Sequence, residues 1–148
     1  MWEISHMKSM ATFRKVLHLQ TQHEGDMIDL TGELKKTLVE CPFKTGLACV
    51  FVPHSTAAIF AMEFEPGLRK DMREALHRLM PKGIEYEHHK TWNDENGHSH
   101  VRSSFLGASI TVPFHEGVPD LGTWQQVVLM ELDNGGKERK VVIQLVGA

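Results

Sequence analysis

The final third of the sequence is built almost wholly from short strand-like segments, and this feature constrains the fold most. Three segments, 109–114, 124–133 and 139–146, are alternately or continuously apolar. Turn residues separate them at Glu116-Gly117 and at Asn134-Gly135-Gly136, and the second turn is typical of a hairpin. Strands that follow one another directly favour antiparallel pairing over a doubly wound sheet, which needs a helix between strands. We therefore expect an α+β protein with a predominantly antiparallel sandwich or barrel as its core.

Helical signals are confined to the sequence before this strand-rich part. An apolar stripe at helical spacing predicts a short helix over 31–40. The clearest helix runs from Pro66 to Met80, because proline suits a first turn and the apolar residues form one stripe. A helical turn over 101–106 would make a third. The polar stretch 85–99 is predicted to be a long loop, and such loops are usually functional or disordered. Further strands are predicted over 12–20, 47–52 and 57–62.

Length and composition fit one domain. The 148 residues, 41% of them hydrophobic, can bury a core without disulfides or a structural metal. A net charge of −3 argues against a nucleic-acid groove, which needs an excess of Lys and Arg. No apolar run approaches the roughly 20 residues that span a bilayer, and the two apolar-flanked cysteines favour a reducing, cytoplasmic compartment. We assign a single domain to 11–148 and interpret 1–10 as an N-terminal extension or an expression scar.

Histidines are concentrated in the middle of the chain. Six of the ten lie between 77 and 115, and histidine is the usual residue for metal ligation and for proton transfer near neutral pH. In an extended segment His98 and His100 would project to the same side and could hold one ion. The spacing matches no standard zinc motif, so a solvated loop that happens to be rich in histidine remains the alternative.

Two predicted strands end in polar residues. His54 and Thr56 follow the first, where a histidine either meets a ligand or bonds to backbone. Glu63 follows the second, and Asp71 lies in the first turns of the next helix. These carboxylates either belong to a site or are favourable charges near a helix start.

A tryptophan-containing segment precedes another predicted strand. Trp124 follows Gly122-Thr123, a position where tryptophan is usually a packing residue. Gln125 and Glu131 share one face of that strand but lie about 20 Å apart, so they could line the two ends of one cleft. The sequence lacks a Walker A loop, a GxGxxG turn, a GxSxG elbow and a CxxC pair, which removes most support for ATP hydrolysis, dinucleotide redox chemistry and serine hydrolysis.

Taken in order, the motifs resemble those of the YjbQ-like family of small bacterial and archaeal proteins. The resemblance extends from about Thr12 to Gly147, and its most specific part is the Gly-Thr-Trp-Gln segment after Ser-x-x-Val-Pro. The matching stretches are His54-Ser55-Thr56-Ala57-Ala58, 63–71, Tyr86-Glu87-His88, Ser99-His100, 103–107, 109–113, Gly117, 121–125, Glu131 and 141–143.

The resemblance implies a jelly-roll-like β-sandwich with two or three helices packed on it, assembled as a homotrimer. It also implies a polar pocket for a small-molecule substrate, often with a divalent metal, for which zinc is our expectation. His54, His88 and His100 match the family's recurring histidines and are the predicted metal ligands. His89 and His98 do not match. The other matching or neighbouring pocket positions are Thr56, Glu63, Asp71, Trp124, Gln125 and Glu131.

One departure from the family pattern concerns this pocket. Met62-Glu63 stands where the family usually has Asn-Glu, and the segment before Asp71 is one residue shorter. This departure bears on whether the pocket keeps the family's polar contact there, and with it the family's substrate.

Some members of the family are described as secondary thiamine-phosphate synthases, which join a pyrimidine diphosphate to a thiazole phosphate and release pyrophosphate. That reaction needs cationic donors for the leaving diphosphate, and Arg102 and Arg139 are the candidates in sequence. A three-histidine site, however, favours zinc over the magnesium typical of diphosphate chemistry. Metal-dependent hydrolysis, with Glu63 or Glu131 as the proton acceptor, and a non-catalytic trimer that binds a metal or small ligand are the two alternatives.

Overall fold

A computed structural model of the protein describes residues 9–148. The interpretation of 1–10 as an extension or scar therefore falls almost entirely outside the described residues. The helices are α1 (Thr31–Glu40), α2 (Pro66–Leu79), α3 (Glu87–Trp92) and α4 (Gly97–Leu106). The strands are β1 (Ala11–Gln20), β2 (Met27–Asp29), β3 (Gly46–Phe51), β4 (Ala57–Met62), β5 (Ser109–His115), β6 (Val118–Pro119), β7 (Gln126–Glu131) and β8 (Glu138–Gly147).

The strands form two antiparallel sheets. The larger has five strands in the order β1-β8-β3-β5-β6, and the smaller has three in the order β2-β7-β4. The long strands β1 and β8 pair over their whole length, from Ala11 opposite Gly147 to Gln20 opposite Glu138. The predicted α+β class with an antiparallel core is confirmed.

The larger of two buried cores lies between the sheets. Alternate residues of β4 and β7 point into it and pack against the inner face of the five-stranded sheet and against α1. This is the burial pattern of a two-sheet sandwich. Its fully buried members include Leu34, Ile59, Leu129, Ile143 and Leu145.

A second core lies on the other face of the three-stranded sheet. The residues of β4 and β7 that point away from the sandwich contact the apolar stripe of α2, as in the pairing of Ala58 and Val128 with Leu76. The small sheet is therefore buried on both faces, which explains why β4 and β7 are almost continuously apolar. In the described residues no helix is long and apolar enough to cross a bilayer.

The stretch 85–99 differs from the sequence prediction. It holds α3 and the first turn of α4 rather than a long loop, so the described chain has four helices instead of two or three. The helix α4 buries His98, Ser99, Arg102 and Ser103. Because its buried face is polar, α4 lacks the apolar stripe from which a helix is predicted.

The small sheet has two ends that are well separated in space. In the β4–β7 pair, Ala57 lies opposite Glu131 at one end and Met62 lies opposite Gln126 at the other. Five residue steps separate these ends, or about 17 Å. The predicted site residues are divided between them.

Candidate functional site

Two histidines and an aspartate form the clearest cluster of metal-ligating side chains among residues 9–148. One ligand atom from each of His88, Asp94 and His100 lies within 4.8 Å of the other two. The two imidazole rings have centroids 4.2 Å apart, and His88 Nε2 is 3.5 Å from Asp94 Oδ2. We call His88, Asp94 and His100 the His–Asp cluster.

Contacts between the starts of α3 and α4 bring the two histidines together. The ring of His89 accepts a hydrogen bond at Nε2 from the backbone N–H of Gly97 at 3.0 Å, and its Nδ1 lies 3.4 Å from the backbone nitrogen of Tyr86. A Cβ on Gly97 would overlap the Tyr86 side chain. Glycine is thus needed at 97 for the close approach of the two helices. His89 is therefore a positioning residue, although it does not match any of the family's recurring histidines.

The short connection between α3 and α4 places the third member of the cluster. Asn93 and Glu95 both have left-handed backbone conformations, with φ of 54° and 52°, and Asp94 lies between them. Asparagine tolerates this conformation, whereas for glutamate it costs about 1–2 kcal/mol. With its nitrogen toward Asp94, the Asn96 side chain donates to the two carboxylate oxygens at 2.9 and 3.1 Å. The carboxylate is oriented by this contact, as second partners orient metal ligands elsewhere.

The surroundings of His100 favour its neutral form. Burial lowers the pKa of His100 and the adjacent His88 lowers it further, while Asp94 and Asp133 act in the opposite direction without cancelling the effect. Burial raises the pKa of Asp133, but hydrogen bonds from the Asn134 backbone and Thr56 bring it below its usual value. At neutral pH an uncharged imidazole and an ionised carboxylate therefore lie close together, and the neutral imidazole is the form that binds metals.

A cavity opens beside the two histidines. It has a volume of about 470 Å³ and is lined by His88, Gly97, His100, Val101, Ser104 and Phe105. The Phe105 side chain is 75% exposed. The cluster thus faces a cavity with one polar and one apolar wall, which has room for a small organic molecule.

The donor set fits a divalent transition metal. Two imidazoles and one carboxylate are ligands that zinc uses in catalytic sites, where three protein ligands leave a further position open. Magnesium and calcium prefer oxygen donors alone. The residues present therefore fit zinc better than magnesium.

The predicted third ligand, His54, is not part of the cluster. Its Nε2 accepts a hydrogen bond from the backbone N–H of Lys140 at 3.0 Å. Burial and the nearby Arg139 hold the pKa of His54 below its usual value. Within one chain, Asp94 supplies the third donor in place of His54. His54 bonds to the backbone instead, which is the alternative that the sequence left open.

Glu131 lies in the core and holds an ion pair. It is 0% exposed, and Arg139 donates to it through Nε at 2.7 Å and also through Nη2. Thr21 and the Asp133 backbone donate to the same carboxylate. Its oxygens are thus fully used within the protein, which leaves no lone-pair direction facing a cavity for a proton acceptor.

Thr56 connects this ion pair to the surroundings of the cluster. Arg139 Nη2 donates to Thr56 Oγ1 at 3.0 Å, and Thr56 Oγ1 donates to Asp133 at 3.1 Å. Thr56 is buried, so it supports Asp133 and does not line an open pocket. These buried polar groups explain the orientation of the carboxylate next to His100.

The other four predicted pocket residues lie toward the opposite end of the small sheet. Glu63 follows the end of β4, and Trp124 and Gln125 precede the start of β7. The Gln125 side chain accepts a hydrogen bond from the Gly122 backbone at 3.0 Å and so closes a local turn. Trp124 is 70% exposed, so it does not pack in the core of a single chain. Glu63 and Asp71 are also exposed. In one chain these residues do not join the His–Asp cluster.

His98 faces a different part of the molecule from His100. Because 97–106 is helical, residues two apart point in nearly opposite directions, and the expectation that both imidazoles hold one ion is wrong. The buried His98 donates from Nε2 to Glu24 at 3.0 Å. Arg102 Nη1 donates to the same carboxylate oxygen at 3.0 Å. Both arginines considered as diphosphate donors, Arg102 and Arg139, are thus held in ion pairs.

Comparison with known proteins agrees with the family resemblance that the sequence motifs indicate. The UPF0047 protein YjbQ-like family profile matches residues 15–148. A UPF0047 protein from Methanothermobacter thermautotrophicus is 36% identical over 138 residues, which cover 93% of this chain and 94% of the relative. The UPF0047 protein YugU from Bacillus subtilis is 34% identical over 134 residues, which cover 90% and 98%. The crystal structure of a YbjQ-like protein from Sulfolobus solfataricus P2 aligns with a TM-score of 0.89 at 31% identity, over 95% of this chain and all of that one (100%). The chain therefore belongs to the YjbQ-like UPF0047 family.

Proposed function

We propose that the protein is a zinc-dependent enzyme that hydrolyses a bond in a small molecule, with His88, Asp94 and His100 as the metal ligands. The observation that carries the proposal is the convergence of these three donors within 4.8 Å beside the cavity that reaches Phe105. Three protein ligands with an open side are the pattern of catalytic rather than structural zinc sites.

The chain's own residues have distinct parts in this proposal. His88 and His100 bind as neutral imidazoles, and Asp94 supplies the negative charge. Zinc in such a site supplies Lewis-acid chemistry and lowers the pKa of water toward 7. Asp133, which partly raises the pKa of His100, is assigned to support that ligand as an ionised carboxylate, because hydrogen bonds from Thr56 and the Asn134 backbone already occupy both of its oxygens. Val101 and Phe105 contact the apolar part of the substrate.

The transferase reaction implied by the family resemblance is the second candidate, and membership of the family is what favours it. Arg102 and Arg139 would have to leave their ion pairs with Glu24 and Glu131 to reach a diphosphate that leaves at the His–Asp cluster. Breaking buried pairs of this kind is costly. Hydrolysis makes no such demand, and we rank it first for that reason.

Three expectations from the sequence accompany the proposal. A homotrimer would provide the route by which Trp124 and Glu63 of one copy approach the His–Asp cluster of another. A jelly-roll order of the strands is the more specific form that we expect for the two-sheet sandwich. A cytoplasmic location follows from the cysteine usage alone. All three remain predictions.

A substrate panel tests the proposal. Zinc-reconstituted protein is assayed on phosphoesters, carboxylic esters and amides, and separately for pyrophosphate release from the two thiamine precursors. We expect turnover in the hydrolytic panel that is lost in Asp94→Asn and kept in Asp120→Asn, a control aspartate on the β6 side of the molecule. Pyrophosphate release without hydrolysis would replace the first candidate by the second. Ligand-induced thermal stabilisation without any turnover would indicate a binding protein.

A further inference from the structure

A second cavity lies outside the His–Asp cluster, between α2, the turn before β2 and α4. It has a volume of about 260 Å³ and is lined by Glu24, Gly25, Arg73, Leu76, His77, Lys82, Arg102 and Met130. This volume is slightly smaller than the roughly 300–1,000 Å³ of typical ligand pockets. Leu76 and Met130 belong to the second core and form its apolar floor.

Three cations and one carboxylate line this cavity. Glu24 accepts from Lys82 at 2.7 Å through one oxygen and from Arg102 at 3.0 Å through the other. The buried His98 donates to the same oxygen as Arg102. Glu24 is therefore saturated by partners on its own protein, and it fixes the two cations in position. Arg73, Lys82 and Arg102 carry three positive charges against the one negative charge of Glu24, so the cavity wall has a net charge of two positive.

Arg73 is held at the cavity by its aliphatic stem. A Cβ on Gly25 would lie 2.8 Å from Arg73 Cδ, so the stem lies directly on the glycine backbone. Gly25 also has a φ of 80°, a conformation that favours glycine. Within the described residues Arg73 makes no ion pair. Its guanidinium is thus positioned by packing while its charge is not neutralised.

Arg102 offers a further donor from a buried position. The side chain is nearly buried, and it donates through Nε to the Met80 carbonyl at 3.0 Å and through Nη1 to Glu24. In residues 9–148 its Nη2 has no hydrogen-bond partner. Arg102 lines the cavity, and a guanidinium that is fixed through two of its nitrogens and keeps the third unused is preorganised to bind an oxyanion.

We propose that this cavity binds the phosphate group of a small phosphorylated molecule, held by Arg73, Lys82 and Arg102. A phosphate dianion matches the surplus of two positive charges, whereas a carboxylate would leave one of them uncompensated. Leu76 and Met130 contact the carbon atoms next to the phosphate. The site is separate from the His–Asp cluster and needs no metal.

Calorimetric titration with inorganic phosphate, and with acetate as the carboxylate probe, tests this proposal. Chelator-treated protein is used so that phosphate cannot bind through a metal at the His–Asp cluster. We expect one phosphate per chain with millimolar affinity or better, and at least about tenfold weaker binding of acetate. Arg73→Met keeps the aliphatic stem on Gly25 and should weaken phosphate binding by about tenfold or more, because a charge-assisted hydrogen bond is lost.

Lys70→Met is the matched control. Lys70 lies on the same helix and is exposed, so this variant loses the same charge without touching the cavity, and its phosphate affinity should stay within about twofold of the wild type. Lys82→Met serves as a second cavity variant if Arg73→Met fails to fold. No phosphate binding up to about 10 mM, acetate binding as tight as phosphate, or equal losses in the cavity and control variants would each overturn the proposal.

Discussion

The imidazoles of His88 and His100 stand on two different short helices, yet their ring centroids are 4.2 Å apart. Neither α3 nor α4 has an apolar stripe that would dock it on the other. Instead, His89 in α3 accepts a hydrogen bond from the backbone N–H of Gly97 at the start of α4. The site is therefore built by polar contacts and by the close approach at Gly97, and it rests on buried polar networks.

The close approach at Gly97 should be sensitive to a single methyl group. Gly97→Ala places a Cβ against the Tyr86 side chain, and we expect a loss of about 1–3 kcal/mol in the free energy of unfolding together with weaker zinc binding. Gly32→Ala is the control, because nothing lies within 4 Å of a Cβ at that position in α1. It should be neutral or stabilise by up to about 1 kcal/mol. Urea denaturation measures both, and equal effects would contradict the packing argument.

The ion pair of Arg139 with Glu131 should carry much of the local stability. Arg139→Met leaves a fully buried carboxylate without its cation, and we expect a loss of about 3–5 kcal/mol in the free energy of unfolding. Lys137→Met removes a half-exposed cation that lies 3.5 Å from Asp133, and a loss of at most about 1 kcal/mol is expected. Similar, small losses in the two variants would show that Arg139 is free to act elsewhere, for example on a substrate.

Trp124 should contribute little to the stability of the chain. Its side chain is 70% exposed, and exposed positions usually change the free energy of unfolding by no more than about 0.5 kcal/mol on substitution. Trp124→Ala should therefore unfold at nearly the wild-type temperature at a concentration where the protein is monomeric. A fall of several kcal/mol under those conditions would mean that the tryptophan is buried. Loss of stability only at high protein concentration would place it in a subunit interface.

Stability should decline as the solution becomes acidic, in part through His98. Burial lowers the pKa of His98, and Arg102 and Lys82 lower it too, although Glu24 raises it in part. The pKa of this histidine in the unfolded chain is 6.5. Below that pH the unfolded chain binds a proton at His98 and the folded chain does not, so the free energy of unfolding falls. Burial raises the pKa of Glu24, but Lys82 and His98 hold it below 4.5, and this contribution is lost at lower pH still.

Urea denaturation between about pH 7.5 and 5 measures this dependence. His98→Gln keeps a donor for Glu24 and removes the titrating ring, so its stability should depend less on pH than that of the wild type. His77→Gln changes an exposed histidine and should keep the wild-type slope. An unaltered slope in His98→Gln would show that another group is responsible.

The predictable parts of the fold are those with an apolar period. The stripe from Leu68 to Leu76 predicted α2, and the apolar runs at 57–62 and within 124–133 predicted the strands β4 and β7. The structure adds that both strands are buried on both faces. Only the 101–106 part of α4 was predicted, because the helix buries His98, Ser99 and Arg102 against polar partners. Hydrophobic periodicity carries no signal for such a face.

The candidate site was predictable only in part, for a related reason. His88 and His100 were found from family motifs, but Asp94 owes its place to a turn with two left-handed residues, Asn93 and Glu95. No spacing rule predicts that geometry. A signal for Glu131 was present, since a carboxylate that continues the buried alternation of Val127 and Leu129 needs a buried cation, and Arg139 is that cation.

The most direct test of the account is the zinc content of the protein after purification without chelator and without nickel resin. Elemental analysis of the wild type is compared with Asp94→Asn, His100→Ala and the control His77→Ala. We predict about one zinc per chain in the wild type and in His77→Ala, and almost none in the other two, with all four proteins folded. Wild-type zinc content in Asp94→Asn and His100→Ala, or no metal in any of them after zinc is supplied, would contradict the assignment of His88, Asp94 and His100 as a metal site.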